Sequence, residues 1–296
     1  MIRTKNLLNR NIQLIDIGAF GGIQSEWKIL LKYVNELDIH LFDISPIDNK
    51  EIEGINYFDH GCAVWSEAKS LTYYHCKEKS NNSFYKPNQK IEMFQIPDHS
   101  SRIKIKEEKV HNISTLDKEF PSSTSIDFIK SDTQGSEYEI SKGAINLLQR
   151  SCPVVALETW TDEVYEKMPL DFEIRKFYNT INYRLFHTDP AADNWIHQSD
   201  KKYLNSEGRC MGQNMLLMPS IELLEKLNDE DLAAKIIIMC YFNCYDYCDY
   251  IAKILNKKEI KKLTEYIYTK KNNFLSHAYR SITKKAYLSK KVKKLL

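Results

Sequence analysis

The 296-residue sequence is short of long hydrophobic runs: its longest, such as the one that begins Ile236–Met239 and ends at Phe242, fall far below the ~20 apolar residues of a spanning helix. The first eleven residues, MIRTKNLLNRN, lack an apolar core, so neither a signal peptide nor a membrane anchor is expected there. Cysteines are few and odd in number, seven, and without a secretory signal they point to reduced thiols in a cytoplasm. Paired C-x₂-C spacing is also missing. Cys240, Cys244 and Cys248 fall four apart, as on one helix face, but a structural zinc site needs a fourth ligand, so core packing is the reading and no metal is assigned. There is no internal repeat and no low-complexity linker.

What is there is an ordinary globular composition, 43% hydrophobic and 28% charged. The net charge of +2 hides an asymmetry. Residues 270–296 hold nine Lys or Arg and no acid, which leaves 33 basic against 40 acidic groups over residues 1–269. An acidic body is a poor match for nucleic acid, so no nucleic-acid partner is expected. The tail, YRSITKKAYLSKKVKKLL, mixes lysine pairs with apolar residues and suits peripheral contact with an anionic membrane surface. The expected location is cytoplasmic, with the tail at the inner face of the membrane; the oligomeric state is not legible.

Apolar runs at 13–17, 39–42, 55–58, 125–130 and 153–157 read as buried strands, and Ser25 to Leu37 reads as a helix with Trp27, Leu30, Leu31 and Val34 at helical spacing. GSEYEISKGAINLLQR, residues 135–150, reads as one further helix. Alternation of strand and helix up to about residue 180 predicts a parallel sheet covered on both faces. Residues 62–115 interrupt it with what reads as an inserted antiparallel hairpin, SLTYYHC against RIKIKEEKV. YRLFH and NMLLM are two later strands, and beyond Pro219 the pattern is helical. Two parts follow: residues 1–219 and a helical C-terminal extension, 220–296.

The stretch LIDIGAFGG, Leu14 to Gly22, sets a glycine turn after the first strand, where backbone can approach a ligand closely. The dinucleotide fingerprint G-x-G-x-x-G is absent, because the middle glycine is missing. That weighs against a nicotinamide-dependent oxidoreductase. Asp16 stands two residues before Gly18, where a carboxylate attracts a cationic cofactor such as S-adenosylmethionine. Asp43 ends the second strand and can accept hydrogen bonds from both ribose hydroxyls of any adenine cofactor.

With those residues in view, the chain resembles FkbM-type S-adenosylmethionine-dependent methyltransferases over about residues 12–220. Asp16, Gly18, Ala19 and Gly22 match the family's Asp-x-Gly-Ala-x-x-Gly. CAVWSEAKSLTYY…NNSFYKPN is similar to its segment after the third strand, and Ala63 falls there. Thr115-Leu116-Asp117, Lys130, Asp132, Gly135, Glu137 and Lys142-Gly143-Ala144 match the third and most specific segment. Three positions depart from the pattern: Phe20 replaces an Asn, Asp43 a Glu, and Gln134 a Glu. The resemblance implies a class I methyltransferase, an α/β Rossmann-like fold with a seven-stranded, mostly parallel sheet. It also implies S-adenosylmethionine as cofactor and O-methylation, commonly of a saccharide or glycolipid hydroxyl.

Cofactor contacts are then expected from Asp16, Gly18, Ala19, Phe20, Gly22, Asp43, Ala63 and Asp132. The acceptor-side chemistry is expected at strand ends, with Asp132 first as base or orienter of the hydroxyl, and Glu158 and His60 beside it. A non-catalytic binding module with the same fold is the rival reading, kept open by Phe20 and Gln134. A nucleic-acid methylase is disfavoured, since SDTQG stands where an Asp-Pro-Pro-Tyr-like turn would be.

Overall fold

The structure, a computed structural model, describes residues 8–20, 22, 25–45, 47, 51–91, 104–190, 194–195 and 209–271. Gly21 of the glycine turn and the basic tail beyond 271, both singled out in the sequence, lie outside the described residues.

Strand β1 (Ile12–Ile17) enters the middle of the sheet. It is apolar on both faces because both are covered: Ile12 and Leu14 point one way, and Ile15 and Ile17 the other, each fully buried. The segment expected as a helix over 25–37 forms a 3₁₀ helix, Ser25–Lys32, and β2 (Leu37–Phe42) already begins at Leu37. The reason is the spacing of the buried residues. Trp27, Leu30 and Tyr33 recur every third position, the 3₁₀ period, whereas Leu31 and Val34 are only partly covered.

Next come β3 (Ile55–Asp59), the short β4 (Ala63–Val64), and the expected hairpin of β5 (Leu71–Cys76) and β6 (Lys104–Val110), which is antiparallel. Strand β7 (Ile113–Ser114) returns parallel to β4 and leads into helix α1 (Leu116–Glu119) and strand β8 (Phe128–Ser131).

The expected helix over 135–150 is two helices, α2 (Glu137–Lys142) and α3 (Ile145–Ser151). The break has two causes. A Cβ on Gly143 would lie 2.0 Å from the carbonyl oxygen of Trp65, so the chain passes too close there for any side chain. The Asp117 carboxylate then accepts from the backbone N–H groups of Asn146 (3.1 Å) and Leu147 (2.8 Å), starting a new helix. The Thr-Leu-Asp and Lys-Gly-Ala segments are thus structural partners.

Strand β9 (Val154–Trp160), helix α4 (Asp171–Thr180), strand β10 (Tyr183–Pro190), the small pair β11 (Asn194–Trp195) and β12 (Arg209–Cys210), and strand β13 (Gly212–Pro219) follow. The main sheet has seven strands in the order β10-β13-β9-β8-β1-β2-β3. It is parallel from β3 to β9, and β13 runs antiparallel to both neighbours. The fold is therefore mixed α/β with a mostly parallel, Rossmann-like sheet.

The C-terminal helices α5 (Ile221–Leu224), α6 (Asp229–Tyr241), α7 (Tyr245–Ile254) and α8 (258–271) close one face of that sheet. Helix α6 is buried all round from Leu232 to Cys240 and shares a core with β1, β2 and Trp27. Its Lys235, fully buried, lies 2.5 Å from Asp127. Arg10 grips the same carboxylate through two nitrogens, at 2.7 and 2.8 Å, and also reaches Asp231 at 2.6 Å. Burial alone would raise the Asp127 pKa, but the charges of Lys235 and Arg10 outweigh it and hold it below the ordinary value.

The three cysteines do not share one helix. Cys240 lies in the last turn of α6, the chain turns at Asn243 with φ 64°, and Cys248 lies in α7. The Cys240 and Cys248 sulfurs are 3.8 Å apart in the apolar core, as packing residues. Among the described residues, no helix is long and apolar enough to cross a membrane.

Candidate functional site

Parallel strands put their carboxyl ends on one edge, and a cleft opens there beside β1, β2, β4 and β8. Its enclosed space is about 170 Å³, widening to about 870 Å³ when the open solvent at its mouth is counted in. Of the residues expected at a cofactor, Gly18, Phe20, Asp43, Ala63 and Asp132 line this cleft.

Gly18 is there for two reasons. Its φ is +77°, and a Cβ would lie 2.0 Å from the Asp132 carbonyl oxygen, so the turns after β1 and β8 touch backbone to backbone. Asp43 is half-buried and accepts from the Ser45 N–H at 2.7 Å. Burial raises its pKa above the ordinary carboxylate value, against the pull of its Ser45 hydrogen bonds. Phe42, Ile44, Ala63, Val64 and Phe84 give the cleft an apolar wall.

Three expected cofactor residues stand outside the lining. Ala19 and Gly22 shape the turn, with the Gly22 N–H bonded to the Ala19 carbonyl at 2.9 Å. Asp16, almost fully buried, faces Lys130 Nζ at 3.1 Å and is engaged there. Lys130 reaches on to Asp132 at 3.9 Å. Burial would depress its ammonium, yet the paired carboxylates of Asp16 and Asp132 hold it above its usual pKa.

The three expected catalytic residues separate. Asp132 sits at the lip of the cleft. Glu158, at the end of β9, is reached through Gln134, whose side-chain amide donates to Glu158 at 2.6 Å and to Asp132 at 3.3 Å. His60 is elsewhere. Its ring stacks on Phe42 at 4.2 Å, pairs with His40 at 3.1 Å and Glu119 at 3.3 Å, and does not line the cleft. Position at a strand end placed His60 near the site, but the Phe42 ring stands between the imidazole and the ligand side. Neighbouring His40 is pushed down to about 4 by burial, then by His60.

Sequence reasoning missed how the loop after β8 is held. Gln134 adopts φ 58° and Gly135 φ 108°. Fully buried Glu137 accepts from the Thr133 N–H (2.7 Å), the Thr133 hydroxyl (2.8 Å) and the Gly135 N–H (3.0 Å), which fixes that turn. Burial raises Glu137 to about 7, despite those donors. From the other side, the Ser83 hydroxyl donates to the Gln134 carbonyl (2.7 Å), and the Tyr165 hydroxyl donates to its side-chain oxygen (2.9 Å). Tyr73, Lys79 and Asn82 also line the cleft. Tyr73 and Asn82 fall in the SLTYY and NNSFYKPN stretches, noted as a likeness but not as a site, and Lys79 lies between them without a signal of its own.

A family model described as the methyltransferase FkbM domain matches residues 16–185. Among solved structures, a methyltransferase FkbM from Methylobacillus flagellatus KT is similar at 14% identity and a TM-score of 0.31, over 73% of this chain and 48% of that one. The chain thus spans about half the length of that protein. No curated protein matches it.

Proposed function

The chain belongs to the FkbM methyltransferase family, and from that premise we propose that it is a class I, S-adenosylmethionine-dependent O-methyltransferase acting on a saccharide or glycolipid hydroxyl. The observation that carries the reading is the cleft that brings Gly18, Asp43, Ala63 and Asp132 together at the carboxyl edge of the sheet.

The residues fit that cofactor. The close-packed turn at Gly18 leaves its backbone open to the methionine portion. Asp43 can accept from ribose hydroxyls, and the apolar wall of Ile44, Ala63 and Val64 suits a purine ring. When bound, S-adenosylmethionine supplies a methyl group on a sulfonium, and its transfer to oxygen leaves the neutral thioether S-adenosylhomocysteine. Asp132 takes the acceptor's hydroxyl proton onto its carboxylate. Lys130 and Gln134 hold that carboxylate in place, and Glu158 fixes Gln134 in turn. His60 has no part in this arrangement.

Calorimetric titration with S-adenosylhomocysteine, with NAD⁺ as control, tests the cofactor. Micromolar binding of the first alone, weakened about tenfold or more in Asp43→Ala by loss of the ribose hydrogen bonds, is expected. Binding of neither by folded, ligand-free protein overturns the reading. The basic tail supports peripheral contact with anionic lipid, which predicts that deleting 279–296 abolishes binding to phosphatidylserine vesicles.

A further inference from the structure

A second cavity lies beside the first, on the face of the sheet covered by the C-terminal helices. Its enclosed space is about 350 Å³, widening to about 1000 Å³ when the open solvent at its mouth is counted in. Lys130 and Asp132 line both cavities, so the carboxylate assigned the proton transfer stands where the two meet. We propose that this second cavity is the acceptor subsite, and that it takes an uncharged pyranoside. The proposal rests on the methyltransferase reading above.

Its polar groups come from strand register. Asp189 of β10 lies opposite Asn214 of β13, and Asn214 lies opposite Glu158 of β9. Ser131 of β8 lies opposite Leu157, which brings Asp132 level with Glu158 as the strands end. Directly paired residues project to the same face, so Asp132, Glu158, Asn214 and Asp189 form one row along the mouth. The next row on that face, two residues inward, runs His187, Leu216, Ala156, Lys130, Asp16.

The floor is aromatic. Trp27 meets Phe128 at 5.1 Å and Tyr241 at 5.9 Å, and Phe242 meets Phe128 at 5.5 Å and Tyr241 at 4.9 Å. An apolar floor under a row of carboxylate and amide groups matches a pyranose, which has a C–H face and a rim of hydroxyls. Three carboxylates at the mouth repel an anionic sugar. His187, Asp189, Asn214, Tyr241 and Phe242 lie beyond the residues matched by the family model, so the part of the chain outside 16–185 would choose the acceptor.

The test uses the full chain, tritiated S-adenosylmethionine, and p-nitrophenyl hexopyranosides with p-nitrophenyl glucuronide as the anionic arm. Transfer to a neutral glycoside in preference to the glucuronide is expected. For that glycoside, Asn214→Leu and Asp189→Leu, both at exposed positions, should raise KM about tenfold each while kcat changes little. The same variants should weaken the glycoside's Kd on protein saturated with S-adenosylhomocysteine, while S-adenosylhomocysteine itself binds as before. If a neutral glycoside is methylated but KM and Kd stay within twofold in both variants, the subsite is elsewhere and the methyltransferase reading stands. Preference for the glucuronide overturns the uncharged pyranoside. If the cofactor product binds but no glycoside accepts a methyl group, the saccharide reading fails and the subsite fails with it.

Discussion

The side-chain amide of Gln134 donates to the Glu158 carboxylate at 2.6 Å, and Asp132 lies 3.3 Å from the same nitrogen. One neutral donor thus separates two acids at the carboxyl edge of the sheet. The position is one where the resemblance leads one to expect Glu, and the substitution changes the chemistry rather than the size.

Gln134→Glu should therefore be a poor exchange in this chain. It removes the donor and places a third carboxylate among Asp132 and Glu158, although the Tyr165 hydroxyl can still donate to it. The expected loss is ~1–3 kcal/mol at pH 7.5, or a Tm lower by about 2 °C or more. Thermal melts of both proteins check this, and an unchanged Tm would contradict it.

Glu137 predicts a pH dependence of the opposite kind from most paired carboxylates. Burial lifts its folded-state value to about 7 from an ordinary 4.5. The folded chain therefore holds a proton that the unfolded chain releases between those values. Its contribution to stability is largest below about pH 4.5 and falls as pH rises through about 7, by up to roughly 3 kcal/mol. Denaturant midpoints at pH 5, 6.5 and 8 should show that decline in the native sequence. Glu137→Gln, which cannot ionise, should have a flatter profile, even though it gives up part of the acceptor capacity at Thr133 and Gly135.

Much of the sheet was legible because its strands are buried on both faces and read as apolar runs. Leu14–Ile17 and Val154–Leu157 could hardly be anything else. The helix over 25–37 was misjudged because Trp27, Leu30, Leu31 and Val34 fit a 3.6 period, while the deeper burial follows a period of three. That Gly18, Asp43 and Asp132 gather at one edge of the sheet, where they line the cleft, was legible, since glycine at a turn and acids at strand ends carry local meaning. The row Asp189–Asn214–Glu158–Asp132 was not. It depends on the pairing register of strands far apart in sequence, which no local pattern encodes. His60 failed for a related reason: the chain shows that it follows a strand, but not that Phe42 covers it.

Gly143 has an ordinary φ of −75°, so its need is steric rather than conformational. A methyl group there would meet the Trp65 carbonyl oxygen at 2.0 Å, with the backbone of Ser66 at 3.2 Å leaving little room to yield. Gly143→Ala should cost ~1–3 kcal/mol, although alanine has the higher intrinsic helix propensity. Equilibrium unfolding measures it, and a stabilised variant would show that the contact relaxes freely.

The attachment of the C-terminal helices can be broken in two unequal ways. Asp127, with no exposure, accepts from Arg10, Lys235 and the Gln13 N–H together. Asp127→Ala leaves the Lys235 ammonium buried without its partner, a loss of ~3–5 kcal/mol. Lys235→Met removes the buried cation instead and fills its space with an apolar chain, while Arg10 still holds Asp127 through two nitrogens. That variant should lose far less stability, because the remaining carboxylate keeps a partner and one desolvated charge is gone. Chemical denaturation of both variants tests the asymmetry. Equal losses would mean that the Lys235 ammonium contributes as much as the whole cluster, and that the bidentate Arg10 contact contributes little.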